Sequence, residues 1–219
     1  MNPTAWLLLT LFLAAAGVDW IAVHSGSKPL EYVAKPGCML VLIAAALAID
    51  PADGAARVLL VLALVASTAG DVFLMLPGRQ PGNSGPNLFV AGLASFLLAH
   101  VFYVVGFLLE GVELGGLALG TIPVALIVLV VGQRVLAAVR SSEEPQLGRP
   151  VAAYVGVISA MVLFAFGTRD VRAEVGALLF AGSDSLIAWE RFVVERPWAP
   201  MTIIVSYHLA QGLLVVSFT

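Results

Sequence analysis

The chain has 219 residues, of which 60% are hydrophobic and 11% charged, and its mean hydropathy is +1.00. Soluble domains carry roughly 25% charged residues, so this composition excludes an ordinary soluble fold and predicts that lipid surrounds most of the chain. The net charge of −3 argues against nucleic acid as a partner. A single cysteine, Cys38, excludes an internal disulfide.

Eight apolar segments follow one another along the chain, each close to the roughly 20 residues that span a bilayer. They cover residues 4–23, 33–50, 56–76, 88–109, 114–135, 151–167, 173–193 and 199–218, with turn residues and charges between them. The sequence predicts an all-α, polytopic membrane bundle of about eight transmembrane helices, with residues 1–219 forming a single transmembrane domain. Because no Lys or Arg precedes the first segment, we expect a retained helix there and not a cleaved signal peptide.

Lys and Arg residues are distributed unequally over the predicted loops, which indicates the orientation in the membrane. Seven lie in loops 1–2, 3–4, 5–6 and 7–8, and three lie on the opposite side. The seven are Lys28, Arg79, Arg134, Arg140, Arg149, Arg191 and Arg196, and the three are Arg57, Arg169 and Arg172. This bias predicts both termini outside the cell membrane and the four loops in the cytoplasm, with Lys28 as a loop charge that sets topology.

The fifth segment is apolar except for Thr121 and is rich in glycine, at Gly111, Gly115, Gly116 and Gly120. Glycines four residues apart let helix backbones approach closely in lipid. We therefore expect this segment to be purely structural.

Most of the other segments carry ionisable and polar side chains at membrane depth, where anchoring requires none. The candidate site residues are Lys35, Asp71, His100, Tyr103, Tyr154, Asp184, Tyr207, His208 and Gln211. An ionisable group at the bilayer centre costs about 2.5–3.5 kcal/mol on insertion scales. These groups must therefore face one another or a water-filled cavity.

Helical spacing and depth both favour one common site for these residues. Three pairs share a helix face, namely Ser67 with Asp71, His100 with Tyr103, and Tyr207 with Gln211. At about 1.5 Å per residue, Lys35 and Asp71 lie roughly 5–8 Å below the cytoplasmic boundary, and Asp184, His100 and Tyr207 lie roughly 12–18 Å below it. The sequence predicts a single pocket that opens toward the cytoplasmic side.

Several polar residues have simpler interpretations. Buried serines and threonines commonly hold membrane helices together, and His208 can do the same. Tyr103 and Tyr154 are alternatively aromatic residues of the membrane interface, and Asp19, near the end of its segment, can reach the interface. A carboxylate in mid-helix is by default a functional candidate, so Asp71 and Asp184 are the predicted catalytic residues.

Two buried carboxyl groups can divide the work of acid and base. Burial favours the neutral form and a cation such as Lys35 favours the ionised form, so one aspartate can donate a proton while the other accepts one. A serine hydrolase is not indicated, since no Gly-x-Ser-x-Gly motif occurs. His100, His208 and the two aspartates are conceivable metal ligands, but their spacing forms no dense ligand motif. We predict no metal and no cofactor.

Five short motifs, in order and over nearly the whole chain, resemble the YhhN/TMEM86 family. They are Lys35-Pro36 opening a helix, Gly70-Asp71 followed by Leu74-Met75-Leu76-Pro77, Ala99-His100-Val101-Phe102-Tyr103, Ser183-Asp184, and Ser206-Tyr207-His208-Leu209-Ala210-Gln211. Animal members of this family are lysoplasmalogenases, which hydrolyse the vinyl ether bond of lysoplasmalogens to a fatty aldehyde and a glycerophospho-headgroup. The resemblance implies that a lysophospholipid in the membrane is the substrate, and it implies no protein partner.

Residue by residue, Asp71 and Asp184 match the aspartates proposed as catalytic in that family. Lys35, His100, Tyr207 and Gln211 match polar positions that recur around them. The family often has Lys-Pro-Leu at the second helix, where this chain has Lys35-Pro36-Gly37, whereas Lys28-Pro29-Leu30 lies upstream of the predicted span. Position 208 is His where the family commonly has an aromatic. Some members lack an acid at the position of Asp184.

A different class of function is compatible with the same residues. Buried Asp, Lys and His residues also mark proton relays, so a proton-coupled transporter or a lipid-handling protein is the alternative hypothesis. Release of aldehyde from a lysoplasmalogen would distinguish the hydrolase from the transporter.

Overall fold

The computed structural model describes residues 1–49, 54–76 and 87–219, and helices dominate these ranges. The α-helices are α1 Pro3–Ser25, α2 Lys28–Ala48, α3 Gly54–Met75, α4 Leu88–Glu110, α5 Leu114–Leu126, α6 Gln133–Arg140, α7 Gly148–Gly167, α8 Val171–Phe192 and α9 Ala199–Ser217. A π-helical segment, Ile127–Gly132, joins α5 to α6, and a short 3₁₀ turn, Pro145–Leu147, precedes α7. The predicted all-α fold is confirmed.

Seven of these helical stretches are long and apolar enough to cross a membrane. They are Pro3–Ser25, Lys28–Ala48, Gly54–Met75, Leu88–Glu110, Leu114–Arg140, Pro145–Gly167 and Ala199–Ser217. Helix α8 has 22 residues, but Arg172, Glu174, Asp184, Glu190 and Arg191 make it more polar than the others. The chain is a multi-pass helical membrane protein, as predicted. The predicted turns at 50–53 and 77–86, with Arg79, lie outside the described residues.

The helices group into two compact units, residues 1–106 with 218–219 and residues 107–217. In the first unit, α1 and α2 form an antiparallel hairpin around Gly26, whose φ of 69° suits glycine and lets its N–H cap the end of α1. At the open end of the hairpin, Asn2 Nδ2 donates to the carbonyl oxygen of Ala48 at 2.6 Å. Helix α4 packs on α3 where the Phe96 ring lies against Gly70, so close that a Cβ there would be 2.6 Å from the ring.

In the second unit, α5 packs against α7 through the glycines that the sequence singled out. A Cβ at Gly116 would overlap the carbonyl oxygen of Phe166, and one at Gly120 would lie 3.2 Å from that of Leu163. By contrast, a Cβ at Gly115 would meet nothing within 4 Å. The close backbone approach accounts for Gly116 and Gly120, which agrees with a structural role for this segment.

Two sequence-based boundaries are wrong. The fifth segment does not end at residue 135, because the π-helical turn carries the helical backbone on to Arg140. The second helix begins at Lys28 and not at residue 33. Pro29 is tolerated in its first turn, where its missing N–H has no partner to lose, and the charges of that turn are paired with each other.

Candidate active site

In the first unit, the site is built around Lys35 of α2. Its side chain is 14% exposed, and its Nζ donates to Glu31 Oε1 at 2.8 Å. The ammonium of Lys35 is also within electrostatic range of two further carboxyls, those of Asp71 on α3 and Asp19 on α1. Three helices thus bring acidic side chains toward one buried ammonium group.

Glu31 is a member of this group that sequence reasoning missed. It is 6% exposed, and its second oxygen, Oε2, accepts a hydrogen bond from Lys28 Nζ at 2.8 Å. The signal was present in the spacing, because Lys28, Glu31 and Lys35 are three and four residues apart and therefore lie on one helix face. Paired in this way, the carboxylate of Glu31 can be buried at a tolerable cost.

The interpretation of Lys28 as a loop charge is wrong, since this residue starts α2. Its side chain is 66% exposed and forms the outer half of the pair with Glu31, whereas Lys35 forms the buried half. Lys28 and Lys35 are the two candidates for the lysine of the Lys-Pro motif, and both form ion pairs with the carboxylate of Glu31. Lys35 also interacts electrostatically with Asp71.

The sequence suggested that Asp19, near the end of its segment, extends outward to the interface, but its side chain is enclosed by the protein. It is completely buried, and it continues the stripe of α1 formed by Phe12, Ala16 and Ala22. That stripe packs at helical spacing, so a polar residue within it points into the unit. The carboxyl of Asp19 interacts electrostatically with Lys35 and Glu31, which places it in the same group.

The remaining candidates of the first unit lie on α3 and α4. Asp71 is 8% exposed, and Ser67, one turn earlier, is fully buried. His100 and Tyr103 are fully buried too, so Tyr103 is not an interfacial aromatic. His100 Nδ1 lies 2.5 Å from the carbonyl oxygen of Phe96, four residues back. Since a carbonyl oxygen only accepts, Nδ1 carries the proton and donates it.

In the second unit, Asp184 of α8 is held by Tyr154 of α7. Asp184 is 7% exposed, and the phenolic O–H of Tyr154 donates to its Oδ2. The neighbouring Ser183 donates from Oγ to the carbonyl oxygen of Ile203 at 3.1 Å, which ties α8 to α9 at the same level. Tyr154 therefore has a specific polar partner within the protein. The alternative interpretation, an aromatic residue at the membrane interface, predicted no such partner.

Three further candidates follow one another on α9, and all are buried. Tyr207 is 3% exposed, and His208 and Gln211 are fully buried. The Tyr207 ring meets Phe180 of α8 edge to face, with centroids 5.5 Å apart, and lies 5.5 Å from the His208 ring. Tyr207 and Gln211 are both buried, as expected of residues that share a helix face.

One charged pair of the second unit lies outside the membrane-spanning segments. Asp170 caps α8, accepting from the backbone N–H groups of Arg172 and Ala173, and its Oδ2 forms an ion pair with Arg172 Nη2 at 2.5 Å. Burial alone would raise the pKa of Asp170, but the hydrogen bonds and charge of Arg172 outweigh it and hold this pKa below its usual value. This carboxyl stabilises the helix terminus and has no place in the candidate site.

The side chains now fall into two described groups. The first surrounds Lys35 with Glu31, Asp19 and Asp71, and the second holds Asp184 against Tyr154. In the part of the chain that the structure describes, no three His, Cys, Asp or Glu side chains are grouped to hold a metal ion. Each group presents a buried carboxyl beside a hydrogen-bond donor, an arrangement suited to proton transfer. The single pocket inferred from depth stays a prediction.

Comparison with known proteins gives this arrangement a context. The YhhN family matches residues 30–218. The human protein lysoplasmalogenase TMEM86B is 36% identical over 155 residues, which cover 71% of this chain and 61% of the human protein. A lysoplasmalogenase of Mycobacterium tuberculosis is 33% identical over 187 residues, 82% of this chain and 67% of that protein.

The mouse lysoplasmalogenase TMEM86B is 31% identical over 202 residues, 90% of this chain and 79% of the mouse protein. The chain thus spans between about three fifths and four fifths of the length of these relatives. No solved structure matches it. Because the family match covers almost all of the sequence, including Lys35, Asp71 and Asp184, this chain belongs to the YhhN family.

Proposed function

We propose that this protein hydrolyses the vinyl ether bond of lysoplasmalogen-type lipids, releasing a fatty aldehyde and a glycerophosphocholine or glycerophosphoethanolamine. The names of its relatives support the reaction. The observation on which the proposal rests is that Asp71 and Asp184 are both buried in a membrane protein, beside Lys35 and Tyr154 respectively. Carboxyl groups at such positions are costly and therefore have a function by default.

The chemistry needs one proton donor and one proton acceptor. The acid protonates the vinyl carbon that is not bonded to oxygen, and the resulting oxocarbenium ion has its positive charge on the other carbon and the ether oxygen. The base takes a proton from water as the water oxygen bonds to that carbon, giving a hemiacetal. Transfer of the hemiacetal hydroxyl proton and protonation of the glycerol oxygen break the C–O bond. The products are the aldehyde and the free glycerol hydroxyl, with one water consumed.

In this proposal Asp71 and Asp184 share the two proton-transfer roles. A carboxylate also stabilises the oxocarbenium ion through its charge, an effect that is strong where water is excluded. The proposal also gives a substrate-orienting task to five buried polar residues, whose hydrogen-bond donors and acceptors suit them to hold the polar part of the lipid: His100, Tyr103, Tyr207, His208 and Gln211. The alkenyl chain lies among the apolar helices. No cofactor takes part.

We further propose that both termini face outward and that the substrate enters from the cytoplasmic leaflet. The unequal distribution of Lys and Arg over the loops and the adjoining helix ends supports this orientation. A cysteine-free variant, Cys38→Ser, with a single new cysteine near either terminus would test it. Labelling of intact cells by an impermeant maleimide is expected, and labelling only after lysis would reverse the assignment.

The proposed reaction is tested with purified protein in detergent and a lysoplasmalogen, by measuring released aldehyde. General acid–base groups contribute about 10²–10⁴-fold to rate, so Asp71→Asn and Asp184→Asn should each lower kcat by at least about 100-fold. Asp170→Asn makes the same chemical change at the helix cap and should keep wild-type turnover. Aldehyde release that is absent in folded wild-type protein would refute the reaction, and full turnover by either site variant would refute its role.

A further inference from the structure

Lys35 has two conceivable roles in a lipid hydrolase, and its surroundings distinguish them. A lysine that anchors a headgroup phosphate needs an ammonium group open to an incoming anion. The Nζ of Lys35 is instead hydrogen-bonded to Glu31 at 2.8 Å, and its side chain is only 14% exposed. Two further carboxyls, Asp71 and Asp19, interact with the same charge.

The charges around Lys35 are unfavourable for a phosphate. Three acidic side chains, Asp19, Glu31 and Asp71, surround one buried ammonium, and the only other cation described in this group is Lys28, which is 66% exposed. An incoming phosphate would compete with Glu31 and would be repelled by Asp71 and Asp19. Like charges close together at low dielectric disfavour each other strongly.

The same geometry suits a different task. Glu31 and Lys35 are one helical turn apart on α2, and Glu31 is held at its other oxygen by Lys28. Through these two hydrogen bonds Glu31 holds the Lys35 ammonium at one place within electrostatic range of Asp71, so that its positive charge acts on that carboxyl.

We propose that Lys35 and Glu31 form a positioning couple for Asp71, and that Lys35 does not bind the headgroup phosphate. This inference rests on the proposed function, because it concerns the same reaction. It adds Glu31 to the residues on which turnover depends. It also predicts that replacing Lys35 lowers kcat by the same factor whether or not the lipid carries a phosphate headgroup.

The test compares two substrates that differ only in the phosphoethanolamine headgroup: a lysoplasmenylethanolamine, which carries it, and the corresponding 1-alkenylglycerol, which lacks it. Lys35→Gln and Glu31→Gln should each lower kcat by at least tenfold, by the same factor on both substrates, with KM changed by less than threefold. The double variant should be no slower than Lys35→Gln alone, since Glu31 acts through Lys35. The matched control is Glu144→Gln, which removes the acid of an exposed ion pair with Arg191 and should keep wild-type rates.

Each alternative result has a definite meaning. A Lys35→Gln defect that appears as a raised KM on the phospholipid and vanishes on the alkenylglycerol would make Lys35 a phosphate anchor and overturn the inference. Wild-type kcat in Glu31→Gln, or an additive double variant, would also overturn it. Wild-type protein that releases no aldehyde from either substrate would instead refute the proposed function.

Charge-conserving variants serve as controls in case a substitution unfolds the protein. If Glu31→Gln melts below the assay temperature, Glu31→Asp replaces it, because the shorter carboxylate keeps the charge and loses only its reach to Lys35. Equal kcat losses on both substrates are again expected, and unchanged kcat contradicts the inference. Lys35→Arg keeps the cation on α2 and should retain more activity than Lys35→Gln, which a purely steric role of Lys35 would not produce.

Discussion

Deleting one oxygen atom, that of the Tyr154 hydroxyl, removes the hydrogen bond between Tyr154 and Asp184. Tyr154→Phe keeps the ring of α7 in place and deletes only the phenolic O–H that donates to Asp184 Oδ2. Because Asp184 is 7% exposed, bulk water cannot readily replace this donor. The variant therefore tests whether the orientation of this carboxyl matters for turnover.

The size of the effect follows from the type of bond. Hydrogen bonds to charged groups contribute about 1.5–3 kcal/mol, and each 1.36 kcal/mol corresponds to a factor of ten in rate. If the bond to Asp184 is used fully in the transition state, Tyr154→Phe should lower kcat by about 10- to 150-fold. KM should change little, because Tyr154 acts on the carboxyl group and not on the lipid.

The assay is aldehyde release from a lysoplasmalogen, measured with the melting temperature of the same preparation. Tyr32→Phe is the matched control, since Tyr32 is 39% exposed on α2 and should lose its hydroxyl without effect. A kcat for Tyr154→Phe within twofold of wild type, at an unchanged melting temperature, would refute the reasoning. A fall in melting temperature with unchanged kcat would show that the bond only joins α7 to α8.

Two further predictions concern stability. Gly116→Ala should destabilise the protein by about 1–3 kcal/mol, because the added methyl group overlaps the carbonyl oxygen of Phe166. Gly115→Ala, in open space, should be neutral or stabilising by up to about 1 kcal/mol, and equal melting temperatures for the two variants would contradict the α5–α7 contact. Asp170→Asn should lose about 0.3–1 kcal/mol at neutral pH, since Asn keeps the cap but not the charge. Because the folded-state pKa of Asp170 is lowered, its contribution is full above the unfolded value of about 4. That contribution decreases as pH falls below the unfolded value toward the folded pKa, so a wild-type–variant difference that is undiminished at pH 2 would refute this cause.

The transmembrane helices were predictable because their signal is local. A bilayer requires about 20 consecutive apolar residues, and seven of the helical stretches that the structure describes satisfy this condition without reference to their neighbours. The start of the second helix, α2, is an exception that the local signal did not predict. Lys28 looked like a loop residue because a single charge before an apolar run usually ends a span, whereas here Glu31 pairs with it and the helix starts five residues earlier than predicted.

The candidate site was predictable where a carboxylate interrupts an apolar run within a helix, as Asp71 and Asp184 do. Glu31 was missed and Asp19 was misjudged because both lie near helix ends, where a charged side chain usually reaches water. Their burial depends on which face of α1 and α2 each occupies and on what packs against it.

The sequence by itself determined that lipid surrounds the chain and where most of the helices lie, and it singled out Asp71 and Asp184 as candidates. Hydropathy and the cost of a buried charge are properties of short segments, so both can be read locally. Only the tertiary structure decided which side chains interact with these aspartates. The interaction of Lys35 with Asp71 joins residues 36 positions apart, and the contact of Tyr154 with Asp184 joins residues 30 positions apart. Such pairings arise when helices pack, and packing in lipid is directed by close-fitting surfaces such as the one at Gly116. No local pattern encodes which polar side chains those surfaces bring together.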